Sequence, residues 1–224
     1  MPLPLADTVA ALQRFHGRPR PPPTRDPFEL VLLENIAYLA SPQQRREAFV
    51  LLKETVDTTP AAILKAPRAA LERITSHGIL KARFAEKLRV CARMAIALGG
   101  GLASALGGPV PDARRILRKF PGIAEPGADK ILLFSGGLAC LAPESNGLRV
   151  LARLGYIRED DSYARMYRAG NAAGNQLQAR IPALRTAHLL LHEHGRTLCR
   201  RTQPQCAQCP LRKDCAYARR RELG

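Results

Sequence analysis

The chain has 224 residues, enough for one large domain or two small ones sharing an interface, and 46% of them are apolar. That apolar share supports a substantial core and excludes wholesale disorder. Thirty-five Lys and Arg against 19 Asp and Glu give a net charge of +16; this favours a polyanionic partner, since each neutralised phosphate releases counterions. On charge alone a generic basic surface is an equal reading. No secretory or membrane segment is expected: Met1 to Leu12 lacks a basic start followed by a long apolar stretch, and Asp7 interrupts it. The uncharged run from Met94 to Pro111 holds five glycines and two prolines and reads as a helix end entering a flexible connection. The expectation is a cytoplasmic, nucleoid-associated protein without membrane contact. Its cysteines are then reduced, ligating or buried.

In chain order, a short N-terminal helix meets a proline-rich break from Pro19 to Pro27. Phe28 to Ala40 is strongly apolar, with Glu34 and Asn35 in its middle. Helical stretches are predicted near Gln43–Val56, Ala61–Leu64, Pro67–Ser76 and Lys81–Leu98. Ala113, Ile116, Leu117 and Phe120 share one helix face, and Ala128, Ile131 and Leu132 repeat the spacing after a short break. Leu184, Ala187, His188 and Leu191 line an amphipathic helix over Ile181–Leu198. No β-branched alternating run argues for a sheet, and no repeat is present, so the fold class is all-α.

Four of six cysteines lie within 17 residues, as C-x6-C-x2-C-x5-C: Cys199, Cys206, Cys209 and Cys215. Disulfides are disfavoured in a cytosolic chain. Zinc sites usually pair two short knuckles, and only Cys206 and Cys209 form one. Four thiolates in one loop suit an iron–sulfur cube; spacing alone leaves both metals open. Cys91 and Cys140 sit in apolar contexts and read as buried small hydrophobes.

The lead-in His194-Gly195-Arg196-Thr197-Leu198-Cys199, then Pro204-x-Cys206-x2-Cys209 and Cys215-Ala216-Tyr217, resembles the cluster loop of endonuclease III. The resemblance implies a [4Fe–4S] cluster on these four cysteines, with His192 and His194 as capping or core residues. Upstream, Leu117 to Ala128 resembles the helix-hairpin-helix of that family. In that motif a glycine turn ahead of a helix N-terminus concentrates N–H donors on a phosphate. The implied DNA contacts are Lys119, Pro121, Gly122, Ile123, Ala124 and Lys130, with Arg118 adding charge. The sequence departs at Ala124, where the family has a second glycine. A turn needing φ > 0 there is expected to be reshaped and its phosphate contact weakened.

The resemblance also points to altered catalytic positions. The lysine that lets lyase-competent relatives form a Schiff base is matched by Pro126, which has no free amine; Lys130 lies one helical turn onward. The family's catalytic aspartate is matched by Glu144, in Ala142-Pro143-Glu144-Ser145-Asn146-Gly147-Leu148-Arg149-Val150. Glu144 either stabilises an oxocarbenium-like sugar or starts the following helix. Glu34 is similar in place to the general-acid glutamate of adenine mismatch glycosylases; within an apolar helix it is expected to hold its proton more tightly. Tyr38 is a candidate for stacking or wedging beside a base, or a packed aromatic.

The resemblance spans Pro27 to Tyr217. It implies a helical barrel domain over 27–138 with the hairpin at about 112–134, and an iron–sulfur domain over 1–26 plus 139–224, with a DNA cleft between them. Arg200 and Arg201, with Arg196, Arg212 and Lys213, form the basic cluster loop, extended by Arg219 to Arg221. The expected function is a DNA repair protein: a monomeric, monofunctional base-excision glycosylase on damaged or mispaired bases in duplex DNA, without efficient β-lyase activity. The alternatives are a catalytically inactive lesion- or structure-specific DNA-binding protein, and an abasic-site lyase using Lys130.

Overall fold

Leu5, Val9 and Leu12 fall on one face of the first helix, α1 (Leu5–His16), and are buried. In the computed structural model, which describes residues 2–222, α1 opens a unit completed by the residues from Leu138 onward, while Pro22–Gly137 form a second unit. The chain is all-α: among the described residues the only extended pairing is an isolated antiparallel bridge between Tyr38 and Ile79.

The continuous unit begins with α2 (Pro27–Asn35), capped by Asp26, whose side chain accepts from the Glu29 N–H at 2.9 Å. Phe28, Leu30, Val31, Leu32 and Leu33 are all buried, and a helix apolar on every side must be central. The apolar run continues to Ala40, but the helix stops at Asn35. There Leu39 takes φ +53°, and the Tyr38 carbonyl accepts from the Ile79 N–H at 3.0 Å. A capping box of Ser41 and Gln44 starts α3 (Pro42–Thr55). Next come α4 (Pro60–Lys65), α5 (Arg68–Thr75) and α6 (Lys81–Ala97), with α4, α5 and α2 all lying on α6. The glycine-rich connection contains a further short helix, α7 (Gly101–Ala105), whose buried Leu102 helps to fasten it to α2. Two helices close the unit, α8 (Val110–Leu117) and α9 (Glu125–Ser135). Asp129 on α9 is fully buried and accepts from Arg114 on α8, which ties the hairpin's two arms together.

The split unit adds α10 (Ser145–Leu154), α11 (Tyr163–Ala173), α12 (Ile181–Thr197) and α13 (Ala216–Glu222) to α1. Helix α12 is its spine, packed by both α1 and α10. The Tyr156 hydroxyl, 2.6 Å from both the Leu3 carbonyl and Thr8 Oγ1, fixes the N-terminal segment to the end of α10. The crossing of α10 and α12 is set by Gly195: a Cβ built there would stand 2.5 Å from the Asn146 carbonyl oxygen. Any side chain must push the two backbones apart. Gly195→Ala is therefore expected to cost about 2 kcal/mol or more, read as a lower denaturation midpoint. An unchanged midpoint would mean that the crossing widens freely.

Candidate functional site

Helix α12 ends at Thr197, and the loop after it gathers four sulfurs. Cys199, Cys206, Cys209 and Cys215 are free thiols lining one cavity. The backbone sets their places. The Cys199 N–H donates to the His194 carbonyl at 2.8 Å, the Cys209 N–H closes a tight turn onto Cys206, and Cys215 leads directly into α13. Arg153, buried on α10, braces this loop. It donates to the Arg200 and Arg201 carbonyls at 2.7 and 3.1 Å and to Cys199 Sγ at 3.5 Å, and its guanidinium lies 4.5 Å from the Tyr217 ring. Arg200 and Arg201 are themselves exposed, so the bracing leaves a basic surface. The side chain of Arg221 lies outside the described residues.

Burial pushes the Cys209 thiol up to about 11 and raises that of Cys199 as well. Unligated, these sulfurs hold their protons, and a metal would displace them. Among the described residues no three His, Cys, Asp or Glu stand close enough to share one metal ion. Four thiols lining one cavity are a donor set that either an iron–sulfur cluster or zinc could use. His194 lies in the wall, with Nε2 3.5 Å from Cys209 Sγ and Nδ1 3.1 Å from His16 Nε2; burial lowers its pKa to about 4 and keeps it neutral.

On the same unit, Glu144 occupies the N-cap position of α10 with φ −90° and ψ −179°, yet its side chain makes no capping hydrogen bond. Its carboxylate instead meets His192 Nδ1 on α12. Neighbouring Arg149 donates to Asn146 Oδ1 at 2.7 Å, to the Gly195 carbonyl at 2.7 Å and to the Cys199 carbonyl at 2.8 Å. Thus one arginine joins the start of α10, the close crossing and Cys199, the first of the four loop cysteines.

The continuous unit carries the hairpin. Gly122 takes φ +72°, as the tight turn requires, and a Cβ there would lie 3.3 Å from Asn35 Oδ1 and 3.7 Å from Lys87 Nζ. Ala124 sits at φ −91°, ψ −176°, an extended cap of α9 that any residue adopts, so the expected reshaping does not occur. Lys119 and Arg118 are exposed and Pro121 is half-buried. Ile123 turns its side chain into the core and donates its N–H to the Phe120 carbonyl at 3.2 Å. Glu125, exposed at the first position of α9, places an acid beside this turn. Pro126 follows it in the first helical turn. Lys130, half-buried, is bound to Glu34 at 2.8 Å. An ammonium partner differs from the apolar surroundings expected for that carboxyl.

Next to the hairpin the surface becomes apolar. Lys87 Nζ lies 4.1 Å above the Phe84 ring, and Tyr38 stacks on Phe84 with centroids 5.0 Å apart. Tyr38 packs one face on Phe84 while 42% of the residue stays exposed. Around it, Leu39, Ile79 and Leu80 are 74, 53 and 51% exposed, and Leu39 and Leu80 hold φ of +53° and +58°. Leucine in that region is strained, so tertiary contacts, not local preference, hold these turns. The sequence reading missed these three residues, as well as Arg149, Arg153 and Lys87. The legible signal was the pair of leucines flanking loops instead of helix faces.

No family model matches the sequence. The chain is 25% identical over 209 residues to endonuclease III of Thermotoga maritima, across 92% of this chain and 90% of the relative. Endonuclease III of Bacillus subtilis is 30% identical over 118 residues, 52% of this chain and 51% of its own. A structure of endonuclease III in a non-covalent complex with DNA superposes with a TM-score of 0.74 at 24% identity, over 98% of this chain and 95% of that one. The chain is thus similar to endonuclease III over nearly its whole length and shares its all-α fold. A thermostable thymine-DNA glycosylase has the same fold, with a TM-score of 0.75 at 19% identity over 96% and 97% of the two chains. Among the described residues no helix is long and apolar enough to cross a membrane.

Arg153 holds the cysteine loop from α10. Arg153→Met removes three donors and keeps the aliphatic packing. Tryptic cleavage at the exposed Arg200 and Arg201 is expected to accelerate about tenfold or more. An unchanged cleavage rate would show that the loop is held by its other contacts.

Proposed function

We propose that this chain is a monofunctional base-excision DNA glycosylase, acting on damaged or mispaired bases in duplex DNA without efficient β-lyase activity. The carrying observation is Pro126 in the first turn of α9, at the position where the resemblance places the Schiff-base lysine. A chain proline is a tertiary amide and cannot form an imine. Lys130, the next amine along, is held in an ion pair with Glu34, and an ion-paired ammonium has no lone pair to offer a sugar. Glu144 supplies the carboxylate for an oxocarbenium-like sugar. The exposed apolar turns around Tyr38 and Leu80 offer a wedge and a stacking face for an extruded base and the gap it leaves. Lys119, Arg118, Arg200 and Arg201 supply phosphate contacts within the net charge of +16.

Cys199, Cys206, Cys209 and Cys215 would hold a [4Fe–4S] cluster. When bound, it would fix the fold of the loop and so the presentation of Arg200 and Arg201; no step of base release passes through it. The reading is of a monomer, without membrane contact, working where duplex DNA is found.

A screen against duplexes carrying single lesions or mismatches (uracil, a G·T mismatch, an oxidised pyrimidine, 8-oxoguanine, 3-methyladenine) tests the chemistry. Wild type is expected to leave abasic sites that break only on alkali or heat, with no borohydride-trapped adduct. Glu144→Gln is expected to abolish release and spare DNA binding. Trapping that disappears in Lys130→Ala would overturn the monofunctional reading and make Lys130 the nucleophile. Tight binding without release of any base would select the non-catalytic DNA-binding reading, which the Lys130–Glu34 pair also supports.

Two further outcomes test the partner and the cofactor. Duplex affinity should fall with salt at a log–log slope of about −0.9 per phosphate neutralised, weaken in Lys119→Glu and tighten in Glu125→Gln. Anaerobically purified protein should carry about four iron and four sulfide per chain, lost on Cys206→Ser but not on Cys91→Ser. One zinc in place of iron would sink the cluster assignment.

A further inference from the structure

The loop that delivers Glu144 is held against one face of α12. His188 and His192 stand one helical turn apart on that helix. His188 Nδ1 lies 3.0 Å from the Ala142 carbonyl and 3.3 Å from that of Leu141, and His192 Nδ1 meets the Glu144 carboxylate. From α11, Asn171 Oδ1 accepts the Ala142 N–H at 2.8 Å. Ala142 itself is left-handed, at φ +46°. Alanine does not choose that conformation, so the surrounding contacts, not local preference, set the path of the loop.

Within this arrangement the behaviour of Glu144 is unusual. A carboxylate at an N-cap ordinarily accepts from the backbone N–H two or three residues on. The Glu144 carbonyl does begin the helix, accepting from the Leu148 N–H at 2.8 Å, but its carboxylate makes no cap bond and goes to His192. Both side chains keep partial exposure, 35% for Glu144 and 25% for His192, while His192 Nδ1 itself is buried against the carboxylate. Glutamate also has one more rotatable bond than the aspartate it stands in for.

We infer that His192 is a positioning residue for Glu144, an inference that rests on the role given to Glu144 above. The imidazole stands with Nδ1 directly against the carboxylate, removes the extra rotational freedom and withdraws Glu144 from the helix cap. A carboxylate fixed in advance stabilises developing positive charge on a sugar without reorganising first. Without the histidine, Glu144 returns to the cap, and the loop keeps its shape through His188 and Asn171.

The test uses holoprotein and whichever duplex of the lesion panel the wild type processes. His192→Leu is expected to slow single-turnover base release about tenfold or more, with the Kd for duplex and the iron content unchanged. His192→Asn keeps an N–H donor near the Nδ1 position and should recover most of the rate. In 15N-histidine-labelled protein, the His192 Nδ1 resonance, identified by its absence from His192→Asn, should shift in Glu144→Ala, which removes the carboxylate and its acceptor oxygens. Loss of release in Glu144→Gln with His192→Leu at the wild-type rate would overturn the inference and leave the proposed function standing. Equal losses in His192→Leu and His192→Asn, accompanied by iron loss or weaker binding, would overturn it as a purely structural role. Unchanged release in Glu144→Gln, or a wild type inert on the whole panel, would overturn the role of Glu144 and the inference with it.

Discussion

The close crossing of α10 and α12 is the contact on which the split unit depends. Gly195 allows the Asn146 backbone to lie directly on α12, and Arg149 then bonds across the junction to Asn146, Gly195 and Cys199. The distance between backbones is the controlling quantity, since the arginine satisfies all three acceptors only while the helices stay that close. Two consequences follow from one contact. The start of α10, which carries Glu144, is pinned in position, and so is the first cysteine of the cluster loop. Arg153, one turn further along α10, extends the same clasp to Arg200 and Arg201. Stability of the cysteine loop and placement of the carboxylate are therefore one structural problem in this unit.

The continuous unit solves a different problem, because its central helix α2 must end in polar residues inside an apolar surround. Asn35 is almost fully buried, donates back to the Val31 carbonyl at 3.2 Å and directs its oxygen toward the hairpin turn at Gly122. Glu34 finds Lys130. The two polar residues interrupting the apolar run thus reach the hairpin region from beneath, one at the turn and one on α9. With Arg114 and Asp129 locking α8 to α9, the hairpin is held on several sides and its turn has little freedom to adapt.

Long amphipathic helices were legible in the sequence because burial there follows a period of 3.6, as over Lys81–Ala97 and Ile181–Thr197. Helix α11 was not, because apart from Tyr167 its buried side is made of small residues such as Gly170. The end of α2 inside the apolar run was not legible: the segment after Asn35 turns away to pair Tyr38 with Ile79, a long-range contact that no local pattern encodes. Among site residues, the cysteines were legible because thiols crowded into one loop need a cause. The partnership of Glu144 with His192 joins residues 48 positions apart, and Lys130 with Glu34 is just as remote. Ala124 was misjudged because its departure from glycine was assumed to fall at the left-handed position, which Gly122 alone occupies in that turn.

The charge distribution constrains how such a protein discriminates among DNA sites. The net charge of +16 suggests strong phosphate attraction, yet the hairpin is less basic than its sequence implies. Lys130 is paired with Glu34, and Glu125 opposes Lys119 and Arg118 near the start of α9. Attraction is then spread over many exposed arginines, which act alike on every stretch of duplex. Sequence-blind affinity of that kind cannot select a lesion. Under the proposed function, selection falls to groups that sense how easily a base leaves the stack, such as the exposed turns of Leu39 and Leu80 around Tyr38. A wedge of that sort favours weakly paired or damaged positions, since opening them costs least. The remaining discrimination must lie with the groups that meet the extruded base. Under the proposed function that task falls to the Glu144 carboxylate, which His192 holds away from the helix cap.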